Sequence, residues 1–304
     1  MRGSRFLLRS QLVLNLLMTE FPEVTLLGAT EIRALAASLN ATPTKKLGQN
    51  FVIDPNTVRR IVTQAHVSET DVVVEIGPGL GSLTLALLPK VAEVLAVEID
   101  PVLAGALPST IALHAPDLKN NLTVINADAM RITELPAAPT HLVANLPYNV
   151  SVPVVLHFLE TFPSLKEILV MVQAEVADRM AAGPGSKIYG VPSVKMAWYG
   201  EVTKAGSVGR NVFWPAPNVD SGLVRLVRKD REFDPELREL TFTIVDAAFG
   251  QRRKTLRTAL GSALGAPQNV ESILRDAGVD PGLRGEQLSL EDFVAIAQSA
   301  KKVI

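Results

Sequence analysis

The chain has 304 residues, 47% of them hydrophobic and 20% charged, with a formal net charge of −1. This composition is globular and supplies enough apolar mass for a sizeable core, on a length that suits one large or two ordinary domains. The balanced charge gives no bulk signal for nucleic acid, so any basic surface is local, and the absence of cysteine excludes disulfides, thiolate metal sites and cysteine nucleophiles in this chain.

The N-terminal stretch RFLLRSQLVLNLLMTEF is apolar but interrupted by Arg9, Gln11 and Asn15, with no small-residue cleavage pattern after it. It reads as an extension, and no run reaches the roughly 18 apolar residues of a membrane span. GATEIRALAASLN reads as a helix capped by Thr30, ATPTKKLGQNFVIDPN as a loop, and NTVRRIVTQAHV as a helix capped by Asn56. The strand DVVVEIG runs into a glycine-rich turn that opens the helical PGLGSLTLALLPKV. EVLAVEID, LTVINADAM and HLVANLPY are further strands, with a helical stretch from Pro101 after the first of them. SVPVVLHFLETF is a helix, and KEILVMVQAEVADRM starts as a strand and becomes a helix. The strands are apolar throughout, as in a parallel sheet covered on both faces. From residue 233 the pattern is all helical, with Ser289 and Asp292 as a variant capping box. The expected organisation is an extension and helix over 1–42, an α/β domain over 43–232 and a small helical domain over 233–304.

Polar residues mark the ends of four successive strands. Gly77, Gly79 and Gly81 follow Glu75 in VVVEIGPGLGSL, where glycine allows close backbone approach and a helix start offers free N–H groups. Alone, that loop is weak evidence, and a plain structural turn is its alternative. Glu98 ends the next strand, 98 − 77 = 21 residues after Gly77, and is placed to accept two ribose hydroxyls. The glycines run G-x-G-x-G, unlike the G-x-G-x-x-G of dinucleotide sites. Asp128 and Asn145 close the following two strands; each alone would pass as a turn cap, but four on one sheet edge indicate a nucleoside ligand, with Asp128 an acceptor for an adenine amine. In VANLPYNVS, Pro147 lacks an N–H and ends sheet pairing just where Asn145, Leu146 and Tyr148 stand.

These segments resemble the S-adenosylmethionine-dependent methyltransferases, in which a motif of the NLPY kind serves methylation of an exocyclic amine. KKLGQNFVIDPN before the first strand and FWPAPNVDSGLVRL, similar to F-x-P-x-P-x-V-D-S, narrow the resemblance to the small-subunit (16S) ribosomal RNA adenine dimethyltransferase family, from residue 43 to about residue 300. The resemblance implies a Rossmann-like methyltransferase domain plus a small all-helical C-terminal domain. It implies S-adenosylmethionine as cofactor, held by Asn50, Val52, Gly77, Glu98, Asp128 and Asn145; the family often has leucine at position 52, a change that a backbone contact tolerates. It implies dimethylation of N6 on two adjacent adenosines near the 3′ end of 16S rRNA, with a role in 30S maturation. The catalytic set would be Asn145, Leu146 and Pro147 as acceptors around the amine, Tyr148 stacked on the base and Phe213 on the opposite face, the alternative being that Phe213 is a core residue and Trp214 serves instead. His66, His114, His141 and His157 match no motif, and the implied chemistry demands no metal.

Three basic groups are candidates for rRNA phosphates: Lys45 and Lys46; Arg225, Arg228, Lys229 and Arg231; and Arg252, Arg253, Lys254 and Arg257 in QRRKTLR. The last is the strongest, because it reads as sitting at a helix start just after Gly250, where cations are unfavourable and a functional reason is needed. The expected protein is a cytoplasmic monomer acting on 16S rRNA in the 30S subunit or its precursor. The alternatives are a non-catalytic 30S assembly-checkpoint factor, or an adenine-N6 methyltransferase for large-subunit rRNA or DNA.

Overall fold

The computed structural model describes residues 24–40, 49–147, 150–229 and 234–303. The readings placed on Lys45, Lys46, Tyr148, Arg231 and most of the N-terminal extension lie outside these residues.

Three helices begin at an Asp-Pro pair. The aspartate accepts the orphan N–H groups of the first turn, and proline at the first helical position loses nothing because its N–H would be unpaired there anyway. Asp54 accepts the Thr57 N–H (2.9 Å) to start α2 (Pro55–Gln64), and Asp100 accepts the Val102 N–H (2.9 Å) to start α4 (Pro101–His114). Asp234 does the same for the Leu237 N–H (3.0 Å) at α8 (Pro235–Gly250). Asn56 is thus not the cap of α2. Nor does Thr30 cap α1 (Ala29–Ser38), whose N-cap is Gly28. Ser289 caps α12 (Leu290–Lys301), with Asp292 closing the box as expected.

The central sheet has seven strands in the order β4-β3-β2-β5-β6-β9-β7. β2 (Val72–Ile76), β3 (Glu93–Glu98), β4 (Leu122–Asn126), β5 (His141–Asn145) and β6 (Glu167–Gln173) are mutually parallel. β9 (Ser221–Arg228) is antiparallel to both β6 and β7 (Gly200–Val208). A separate two-residue ladder joins β1 (Phe51–Val52) to β8 (Phe213–Trp214). Successive side chains of a strand point to opposite faces, and here they feed two cores. Val73, Val94, Ala96, Val143, Leu169 and Met171 belong to one, with α1, α2, α3 (Ser82–Leu87) and α4. Val74, Leu95, Val97, Leu142, Ala144 and Val170 belong to the other, with α5 (Ser151–Thr161), α6 (Ala174–Met180), α7 (Val191–Tyr199) and the C-terminal helices.

The C-terminal helices are α8, α9 (Leu256–Ala259), α10 (Gly261–Leu264), α11 (Pro267–Asp276) and α12. They share a core with the sheet: Trp198 and Tyr199 of α7 meet the Phe242 ring of α8 edge-on. The chain passes from β2 to β3 on one side and reaches β5 on the other, so β2 is the point where strand order reverses. Ligands of open α/β sheets sit outside the carboxyl ends of the strands at such a point.

Candidate functional site

A cavity of about 330 Å³ opens at that position. Its wall includes Gly77, Glu98, Asp128 and Asn145, so all four strand ends marked in the sequence converge on one space. Asn50, Val52, Leu146 and Pro147 line it as well.

The glycines are required by backbone shape. Gly77, Gly79 and Gly81 have φ of +70°, +58° and +94°, the left-handed region that side chains disfavour. A Cβ on Gly79 would come within 2.9 Å of the Phe51 ring, and one on Gly81 within 2.8 Å of Leu107 Cδ1. The Gly79 N–H donates to Glu98 Oε2 (3.1 Å) and the Asp100 N–H to Glu98 Oε1 (2.9 Å), so the turn and the next strand end are fixed as a unit. Burial pushes the Glu98 carboxyl up, while those two N–H groups pull it back.

Asp128 is a turn cap that also lines the cavity. Its Oδ1 accepts the Met130 N–H (2.9 Å) as cap of a short turn, and it also faces the cavity. Asn145 is the last residue of β5; its amide nitrogen donates to the Asn50 carbonyl (3.0 Å), so any acceptor function falls to Oδ1. The Leu146 N–H donates the last sheet bond, to the Met171 carbonyl (3.0 Å), before Pro147 ends the pairing. The Pro147 carbonyl accepts the Val150 N–H (3.3 Å). The segment carrying Asn50 and Val52 is held by β8 and by the Ser82 hydroxyl, which donates to the Val52 carbonyl (2.8 Å).

Glu75 has no site role in the sequence reading beyond its place ahead of the glycine turn. It lines the cavity, is 1% exposed and accepts the Thr84 hydroxyl at 2.6 Å. Burial pushes its carboxyl up to about 8; the Thr84 bond lowers it, and the nearby Glu98 charge raises it. Its signal was an acid inside an otherwise apolar strand. Ile99 and Met130 were also missed. They line the cavity just beyond Glu98 and Asp128 and are 52% and 39% exposed, so each offers apolar surface at its mouth.

Of the two readings of Phe213, the structure shows the core one and not a place in the cavity wall. It is 3% exposed, pairs with Val52 and packs into the core behind the wall; it does not line the cavity. Trp214 is the more exposed ring and stacks on Phe51 (centroids 6.4 Å apart, 26° between planes).

The basic groups divide. Arg225 forms a two-pronged pair with Glu167. Arg228 donates to the Leu159 and Leu165 carbonyls, both at 2.6 Å, and lies against the Tyr199 ring. The second group is therefore structural at these two positions. Most of QRRKTLR does not sit at a helix start: α8 ends at Gly250 and residues 251–254 form the turn beyond it, while Arg257 alone of the four cations lies in the first turn of α9. Cations in that turn complement the negative end of the helix dipole, so the argument from an unfavourable position does not hold for Arg252, Arg253 and Lys254. Arg252 pairs with Glu286 (2.7 Å) and Arg257 with Glu271 (3.2 Å), whereas Arg253 and Lys254 are exposed.

Comparison with known proteins agrees with this geometry. The model of the family described as ribosomal RNA adenine dimethylase matches residues 40–302. The chain is 62% identical over 277 residues to the ribosomal RNA small subunit methyltransferase A of Thermobifida fusca strain YX, covering 91% of this chain and 96% of that one. It is 61% identical over 275 residues to the protein of the same name from Streptomyces coelicolor, covering 90% and 96%. Among solved structures, a dimethyladenosine transferase from Plasmodium falciparum superposes with TM-score 0.71 at 25% identity, covering 82% of this chain and 96% of that one. The 23S rRNA methyltransferase ErmE superposes with TM-score 0.62 at 28% identity, covering 83% and 100%.

Proposed function

The chain belongs to the ribosomal RNA adenine dimethylase family, and on that premise we propose how its cavity carries out the reaction. The protein is an S-adenosylmethionine-dependent methyltransferase that dimethylates adenine N6 in 16S rRNA. The finer reading is that the targets are two adjacent adenosines of the 3′-terminal hairpin, modified in the 30S subunit or its precursor by a monomeric, cytoplasmic enzyme during 30S maturation. Among the described residues no helix is long and apolar enough to cross a membrane.

The cavity suits the cofactor in shape and in donor set. Gly77 and Gly79 leave space where a side chain would intrude, Glu98 and Asp128 supply acceptors for hydroxyls and an amine, and Ile99 and Met130 give an apolar surface for a base. The residues that hold it are Asn50, Val52, Gly77, Glu98, Asp128 and Asn145, with Glu75 buried beneath. When bound, S-adenosylmethionine supplies a methyl group on a sulfonium, already a good leaving group.

What the chain must add is a competent nucleophile, because the lone pair of adenine N6 is delocalised into the ring. Acceptors around the amine hold it in line and favour tetrahedral nitrogen. Asn145 Oδ1 is one, since the amide nitrogen is committed to Asn50. The Leu146 carbonyl is the second, and that of Pro147, which accepts the Val150 N–H, keeps one lone pair for the same use. Fixed acceptors of this kind act by positioning and electrostatics and contribute several kcal/mol, roughly 3–4 per well-placed group. No strong base is needed, because the methylated aminium is acidic and loses its proton late. Tyr148 stacks on the target base; Phe213 supports the opposite wall from behind Val52, next to Trp214. Arg253 and Lys254, with Lys45 and Lys46, meet rRNA phosphates, and residues 233–304 form the RNA-binding helical unit.

The observation that carries this reading is the convergence of Asn145 with Gly77, Glu98 and Asp128 on one cavity. The test is methyl transfer from labelled S-adenosylmethionine to undermethylated 30S particles, 50S particles and DNA. Label is expected as N6,N6-dimethyladenosine in 16S rRNA; label confined to 23S rRNA or DNA would overturn the substrate assignment.

A further inference from the structure

Glu75 is a buried carboxyl with no part in holding the ribose, the base or the target amine. It is 1% exposed and lines the cavity. Its Oε2 accepts the Thr84 hydroxyl (2.6 Å), whereas Oε1 has no hydrogen-bond partner among the described residues and is left for the cavity. Its strand is central: β2 lies between β3, which ends in Glu98, and β5, which ends in Asn145. A cofactor whose ribose is held at Glu98 and whose methyl is offered to an amine at Asn145 has to pass its sulfonium across β2.

The charge around Glu75 is one-sided. Among the described residues that line the cavity, Glu75, Glu98 and Asp128 are acids and none is Lys, Arg or His. The start of α4 adds Asp100, which accepts the Val102 N–H (2.9 Å) and the Gln49 amide (3.3 Å). The other elements bring uncharged groups: Thr84 from α3, Asn145 from β5, and Gln49 and Asn50 from the segment before β1. Backbone N–H groups stabilise the carboxylates of Glu98 and Asp128, while Glu75 has only a hydroxyl. Burial pushes the Glu75 carboxyl up to about 8, the Thr84 bond pulling it back and the Glu98 charge adding to the rise.

We infer that Glu75 keeps its proton until a cation enters the cavity and gives it up when the cofactor's sulfonium binds, so that the site favours the cationic methyl donor over the neutral thioether it becomes. The inference rests on the reading that this cavity holds S-adenosylmethionine. While protonated, the carboxyl avoids the cost of a buried, unpaired carboxylate. A sulfonium alongside reverses the balance, because an opposite charge a few ångströms away in a site of low dielectric favours the ionised form. The O–H bond breaks, its electron pair stays on the carboxylate and the proton passes to water. One positive charge enters the site and one leaves. Methyl transfer then removes the sulfonium charge, and the carboxylate, again unpaired, takes back a proton from water. The attraction that selected the donor is absent for the product.

Isothermal titration calorimetry of the full chain near neutral pH, in two buffers of different ionisation enthalpy, counts the protons released on binding. S-adenosylmethionine is expected to release about 0.5–1 proton more from the wild type than from Glu75→Gln, and S-adenosylhomocysteine to release the same number from both. The wild type alone gives a second measurement that needs no variant to fold. Its affinity for S-adenosylmethionine relative to S-adenosylhomocysteine should rise several-fold between about pH 6 and 7, with a ceiling of about tenfold per pH unit. Equal proton release from wild type and Glu75→Gln, or an affinity ratio that does not change with pH in the wild type, overturns the inference. Binding of S-adenosylmethionine to Glu98→Ala at wild-type affinity overturns instead the placement of the cofactor in this cavity.

Discussion

The side-chain amide of Asn145 donates to the backbone carbonyl of Asn50 across 3.0 Å, joining residues 95 positions apart. One side of this bond is the strand end that would hold the target amine; the other is the segment that walls the cofactor cavity. Acceptor and donor sites are therefore coupled through a single side chain.

Asn145→Asp separates the two functions. Aspartate keeps an acceptor for the amine but has no N–H for Asn50, and it sets two acceptors facing each other. We expect affinity for S-adenosylmethionine to fall about tenfold, or ~1.4 kcal/mol. Calorimetric titration checks this, and unchanged affinity would show that the bond does not hold the wall.

Gly79→Ala should damage the same wall from the other side. The residue needs φ of +58°, and the new Cβ would meet the Phe51 ring at 2.9 Å. Phe51 must then move, disturbing its stack on Trp214 and the Asn50–Val52 segment. The expected outcome is a loss of about 1–3 kcal/mol in stability, read by denaturant unfolding, together with a raised KM for S-adenosylmethionine.

Glu75 makes stability depend on pH. Its carboxyl lies at about 8 in the folded chain against 4.5 when exposed, so the folded state binds the proton more tightly. That contribution is complete below the exposed value and is lost as pH rises through the folded one, at most about 1.4 kcal/mol per pH unit across the window. Glu75→Gln holds an uncharged group at every pH. Its stability should fall less between pH 5 and 8 than that of the wild type; parallel curves for the two proteins would contradict the assignment.

Arg228 is a structural cation. Its guanidinium donates to the carbonyls of Leu159 and Leu165, which end α5 and the loop after it. Arg228→Ala strands those carbonyls and should cost about 2–4 kcal/mol, while the salt dependence of rRNA binding stays as in the wild type. Measuring both on one preparation separates this residue from the phosphate contacts.

What the sequence made legible follows from which signals are local. The five parallel strands were readable because apolar runs bounded by turns need no partner to be seen, and their polar ends located the cavity. β7 was not, because an edge strand with alternating exposed residues, GEVTKAGSV, carries no continuous apolar run. β1 and β8 are two residues each, too short for any period, yet they place Asn50 and Val52. The cap of α2 was misread by two residues because Asp54 ahead of Pro55 outcompetes the later Asn56. QRRKTLR was read as a helix start because Gly250 resembles a breaker, whereas it is the last residue of α8. The burial of Glu75 and Phe213 depends on tertiary packing, which the sequence does not display.

The central claim is that the strand end at Asn145 presents the adenine amine to the cofactor cavity. Mass spectrometry of 16S rRNA from undermethylated 30S particles, incubated with S-adenosylmethionine and either wild type or Asn145→Ala, tests it most directly. With the variant folded by circular dichroism, the account predicts N6,N6-dimethyladenosine in the wild-type reaction and a rate lower by about 10²–10³-fold in the variant. Near-wild-type dimethylation by folded Asn145→Ala would contradict it.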